Sequence, residues 1–138
     1  MLLTTVLATT IGQANFNLVL PVNISQVSAI QMGEIYNQQH GTCKLTTMGR
    51  IGDACAESVS TLGKISLQGS KGSPVQINVK SATNGYVQFT PILSNGSQTL
   101  SITLNDDTAV YVGGELKVLS TNKTGHMDID YVVEINYQ

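Results

Sequence analysis

The amino-acid sequence predicts an all-β protein, an antiparallel β-sandwich, and three observations carry that reading. Short segments with an apolar residue at every second position follow one another along the chain. That is the periodicity of strands whose side chains alternate between two faces. Between these segments lie Asn84-Gly85, Asn95-Gly96 and Asn105-Asp106-Asp107, which favour tight turns. No strands alternate with long helical segments, which argues against a parallel α/β fold. At 138 residues the chain is sized for one domain with a core of its own.

Residues 1–14 (MLLTTVLATTIGQA) hold a short apolar run, with the small residues Gly12 and Ala14 near its end. They read either as the latter part of a secretory signal peptide without its basic start, or as an extended arm of the mature chain. Residues 15–24 (NFNLVLPVNI) place Phe16, Leu18, Leu20, Val22 and Ile24 on one face of a strand. Pro21 cannot donate to a ladder, so this strand belongs at a sheet edge or end. It could pair within its own domain or be lent to a neighbouring subunit. Residues 27–35 (VSAIQMGEI) form a second candidate strand, with a bulge expected at Gly33. Residues 37–60 read as loop, and residues 54–62 as the one place for a short helical turn.

From Gly63 onward, strands are expected at 64–67, 74–80, 86–93, 99–104 and 109–119, the last bent at Gly113-Gly114. The chain closes with HMDIDYVVEINYQ. There Met127, Ile129, Tyr131, Val133, Ile135 and Tyr137 share one face, and Asp128, Asp130, Val132, Glu134 and Asn136 the other. The resulting division is an N-terminal segment 1–14, a strand segment 15–26 and a sandwich domain 27–138.

Composition narrows the function. Charged residues make up 12% of the chain, aromatics 5%, and tryptophan is absent. Such a neutral surface, rich in Thr, Ser and Asn, is common among secreted and fibrous β proteins. A net charge of −2 without clustered Lys and Arg offers no footprint for nucleic acid. No apolar run is long enough for a membrane-spanning helix. Cys43 and Cys55 are an even pair in a chain with an export-like start, which suggests one disulfide. Two free thiols are the alternative for a reducing compartment. Eleven residues separate them and neither His40 nor His126 completes a ligand pattern, so no metal site is expected. No nucleophile elbow accompanies those histidines, and no spacing selects a catalytic pair of acids. The expectation is a protein without catalysis and without a cofactor.

Several stretches resemble domain-of-unknown-function family 4402 of secreted bacterial proteins. They are SAIQMGEI at 28–35, GKISLQGSKGSPVQINV at 63–79, AVYVGGELKV at 109–118 and the closing YVVEINYQ. Met32 stands where that family usually has phenylalanine, and Glu34 where it has a small residue. The family's layout is in turn similar to the pilins of chaperone–usher pili, including alpha-class fimbrial subunits. That resemblance implies an incomplete immunoglobulin-like sandwich. Phe16, Leu18, Leu20, Val22 and Ile24 would then be the donor strand. Met127, Ile129, Tyr131, Val133, Ile135 and Tyr137 would line the acceptor groove of the next subunit. The implied partners are identical subunits in a head-to-tail homopolymer, with a periplasmic chaperone and usher during assembly. The implied location is an extracellular filament on the bacterial surface. Burying five such side chains contributes roughly 1.5–3 kcal/mol each before ordering costs, and a head-to-tail contact that does not close builds a filament. A monomeric cell-surface module that binds carbohydrate is the second expectation, weakened by the scarcity of aromatics.

Overall fold

The computed structural model describes residues 7–138. The described residues form strands β1 (Asn23–Ser28), β2 (Thr42–Thr46), β3 (Gly49–Ile51), β4 (Gly63–Gln68) and β5 (Pro74–Lys80). They continue with β6 (Ala82–Thr83), β7 (Val87–Leu93), β8 (Thr99–Thr103), β9 (Thr108–Val118) and β10 (Val132–Tyr137), and include no helix. All named pairings are antiparallel. One sheet has seven strands, running β1-β4-β9-β2-β3 with β7 and β6 attached through β9, and the other runs β10-β5-β8. The all-β sandwich expected from the alternating segments is the fold observed.

Alternation decides which side chains meet between the sheets. Val75, Ile77 and Val79 of β5 are buried, while Gln76 and Asn78 between them are half-buried on the other face. They pack with Ile65 and Leu67 of β4, Val110 and Val112 of β9, Leu93 and Leu104 in one cluster. A second cluster, Val87, Phe89, Leu116 and Val118, lies between β7 and the far half of β9. The core therefore runs along β9, the longest strand, from one end to the other.

β9 serves three neighbours. Thr108–Val112 pairs with β4, Gly114–Lys117 with β2, and Val112–Val118 with β7. The Gly113-Gly114 pair does not interrupt the ladder to β7. It is the point where β4 gives way to β2. A Cβ at Gly113 would land on the Leu45 carbonyl, and one at Gly114 on the Phe89 ring. Neither position has space for a side chain. Pro91 sits inside β7 opposite Gly114. Its missing N–H is tolerated because β6 pairs with β7 only at Gln88 and Phe89, leaving that edge unpaired beside Pro91.

Three local expectations need correction. Residues 37–60 are not all loop, because β2 and β3 form a hairpin there, with Cys43 and Leu45 buried beneath it. Two inward side chains were too few to show a period. Residues 54–62 hold no helical turn. Thr61 instead exchanges two backbone hydrogen bonds with Gln31, and Ala54 and Ala56 pair with Tyr36 and Glu34. The strand predicted over 15–24 is regular only from Asn23, and 27–35 continues past β1 as isolated bridges. Pro21 offers no N–H to extend the ladder of β1 on β4. At Gly33 the chain takes φ 82°, and the register slips between the Gln31–Thr61 and Ile35–Cys55 bridges.

The crowding at Gly113 leads to a measurable outcome. Gly113→Ala should lower unfolding free energy by about 1–3 kcal/mol, the usual range for a group forced into a packed core. Chemical denaturation of the variant against the parent checks it, and an unchanged midpoint would contradict the close approach of β2 and β9.

Candidate functional site: a groove between two open sheet edges

β1 is an edge strand of the seven-stranded sheet, and β10 is an edge strand of the three-stranded one. Each has one partner, β4 and β5 respectively. Among the described residues no strand pairs with the remaining side of either. A groove of about 1430 Å³ is lined by Ile24, Ser25 and Gln26 of β1 and by Val133 of β10, among others. That exceeds the roughly 300–1,000 Å³ of ordinary small-molecule pockets.

One wall is built from Ile24 of β1 and then Ile30, Met32 and Ile35. The other is built from Met127, Ile129, Tyr131 and Val133. Val87, Phe89, Leu116 and Val118 line it from the second core cluster. Along 127–137 every odd-numbered residue is half-buried and every even-numbered one exposed. The inward side chains of β5 are buried almost completely. The last strand thus presents an apolar face that the chain covers only in part.

The structure separates the expected groove residues into two groups. Met127, Ile129, Tyr131 and Val133 line the groove. Ile135 and Tyr137 do not; they pack on the main core. Sequence reading missed the opposite wall, Ile30, Met32 and Ile35, and the contributions from β7 and β9. The signal for Ile30 and Met32 was their spacing of two. Ile35 was hidden by the irregular step at Gly33.

The first wall is held from outside. The Cys43–Cys55 disulfide links β2 to the segment that bridges Ile35. Arg50 of β3 donates from Nη1 to the Ala56 carbonyl and from Nη2 to the Glu34 carbonyl at 2.6 Å. The Glu34 N–H donates to Ser58 Oγ at 2.7 Å. One cystine and one guanidinium therefore fix a wall that has no ladder on its groove side. Asn37, which also lines the groove, donates from Nδ2 to the Thr121 carbonyl at 3.0 Å.

The N-terminal segment stands outside all of this. Residues 7–21 are exposed, with Phe16 at 75%, Leu18 at 91% and Leu20 at 62%. They include no charged residue. Of the five residues expected on the donor strand, Val22 and Ile24 pack against their own core instead. Ile24 is paired with Leu67 and forms part of the groove wall. The free apolar face is therefore Phe16, Leu18 and Leu20. The part of the predicted leader within residues 1–6 lies outside the described residues.

Tyr131 joins the two core clusters, and its ring lies 5.8 Å from that of Phe89, tilted by 51°. Its hydroxyl is buried and finds no hydrogen-bond partner among the described residues. Burial pushes the phenol above its ordinary 10.0. Among the described residues no cluster of His, Cys, Asp or Glu is arranged to hold a metal ion. His126 and Asp128 form an exposed pair at 3.1 Å. No helix of the described residues is long and apolar enough to cross a membrane. No family model, no curated protein and no solved structure matches this chain.

Two outcomes follow from these supports. Replacing both Cys43 and Cys55 with alanine should cost about 3 kcal/mol by the loop-entropy relation for a ring of this size. Hydrogen exchange should then rise first at 31–37 and 54–61, and uniform exchange would contradict the wall's dependence on the cystine. For Tyr131, the folded chain keeps its proton after the unfolded chain has released it. Its contribution is complete below about pH 10 and is lost as pH rises through the folded value. Tyr131→Phe should flatten the fall in stability above that pH, as followed by alkaline denaturation.

Proposed function

We propose that the protein is a structural subunit of a secreted bacterial filament that polymerises head to tail. The exposed N-terminal arm of one copy fills the groove of the next. The observation that carries this reading is the pairing of two unfinished features in one chain. One is a groove with half-buried apolar walls and open main-chain edges. The other is an exposed arm whose apolar residues recur at every second position.

The two features fit in length and chemistry. Residues 7–19 in extended form reach roughly 40 Å, and the wall from 127 to 133 roughly 20 Å, at about 3.3 Å per residue. An inserted strand could hydrogen-bond to both open edges while its apolar side chains met the second core cluster. With no charge to desolvate, the arm avoids the penalty that buried ions carry. Because groove and arm are different surfaces, the contact repeats without closing. A disulfide suits an oxidising, extracytoplasmic setting. This is the arrangement the likeness to chaperone–usher pilins implies, including assistance by a chaperone that covers the groove before assembly. The donated segment differs from the one expected: it comprises residues before Leu20, since Val22 and Ile24 belong to the body.

Deleting residues 1–19 should leave β1 and the sandwich in place and abolish polymerisation. Negative-stain microscopy and size exclusion of the full chain should show fibres or ladders. A synthetic peptide of residues 8–20 should cap growth. A full-length chain that stays monomeric at high concentration, with no affinity for that peptide, would overturn the proposal in favour of a monomeric binding module.

A further inference from the structure

Three hydrogen bonds meet where the arm leaves the body. The Leu20 N–H donates to Ser70 Oγ at 2.9 Å. The Ser70 N–H donates to the Tyr137 hydroxyl oxygen at 2.8 Å. The Tyr137 hydroxyl donates to the Leu20 carbonyl. The ring they form joins the arm, the β4–β5 turn and the last residues of β10. Gly69 makes room for it, since a Cβ there would lie 2.7 Å from the Tyr137 hydroxyl oxygen.

The direction of the arm follows from this ring. Asn23 faces Gln68 in the β1–β4 ladder. Leu20 lies further back along the chain and bonds Ser70, further forward, so the arm leaves on the line of β1. Pro21 interrupts the main-chain ladder, and the serine and tyrosine hydroxyls take over where it stops. To enter its own groove, between β1 and β10, the arm would have to reverse at Pro21 and Val22. That reversal breaks the bonds at Leu20. A neighbour's groove demands no reversal.

We infer that the Leu20–Ser70–Tyr137 ring is a latch that confines strand insertion to a neighbouring copy, with Leu20 as the inner boundary of the donated segment. This rests on the filament reading above. Tyr137 and Ser70 are positioning residues here and do not line the groove.

The test places a photo-crosslinking amino acid at Leu18 in the full-length chain and maps the crosslinks by mass spectrometry. With the latch intact, crosslinks to 127–133 or 30–35 should appear in dimers and higher ladders. In Ser70→Ala, which removes one of the three bonds, and in Tyr137→Phe, which keeps the phenyl group but removes two, the ratio of intramolecular to intermolecular crosslinks should rise by at least roughly fivefold to tenfold, the scale of one lost hydrogen bond. An unchanged ratio in both variants, with ladders still present, would overturn the latch and leave the filament reading intact. If the parent chain gives no crosslink to either wall, the filament reading fails and the latch with it.

Discussion

A core between two sheets has sides as well as faces, and on one side of this molecule the main chain is left unfinished. β1 and β10 each have a partner strand on one side and, among the described residues, none on the other. Unpaired main chain is tolerable only while water reaches it. Apolar side chains beside it are least stable in that same water. An added strand would meet both requirements together. The half-burial along 127–133, the exposed arm and the latch at Leu20 all take their meaning from this edge.

Such an edge needs support from elsewhere, because a strand with one partner has half the usual constraints. β10 obtains it from its full register with β5 and from the Lys80–Glu134 ion pair at 2.9 Å, exposed and worth little by itself. The opposite wall has no strand assignment over much of its length. It relies on the β2–β3 hairpin, whose cystine and Arg50 reach across to it. The hairpin's own contribution to the core is small, mainly Cys43 and Leu45. Its larger contribution is to hold Glu34 and Ile35 against the second cluster's side of the groove.

Much of the fold was legible because burial imposes a period. Residues 74–80 matched β5 from end to end, and the closing alternation predicted which residues of 127–137 face inward. What failed was short or irregular. β2 and β3 carry too few inward side chains for a pattern, and the bridges over 31–35 are broken by Gly33. The arm shows a different limit. Alternation in 15–24 specifies two faces, but says nothing about which body covers the apolar one. Val22 and Ile24 pack on their own chain's core, while Phe16, Leu18 and Leu20 are exposed. Half of the groove was likewise invisible, since its other wall and the β7 and β9 residues come from distant parts of the chain.

The outward face of the last segment has its own consequence. Asp128, Asp130 and Glu134 alternate with the groove residues and point to solvent. An open edge is a template for any passing strand, and carboxylates along it are a known defence against mispairing. Two copies meeting through this segment would bring like charges together, whereas an uncharged strand meets no such repulsion. Were a strand to dock there, the odd positions would offer it apolar contact and the acids at the even positions would disfavour a second acidic strand.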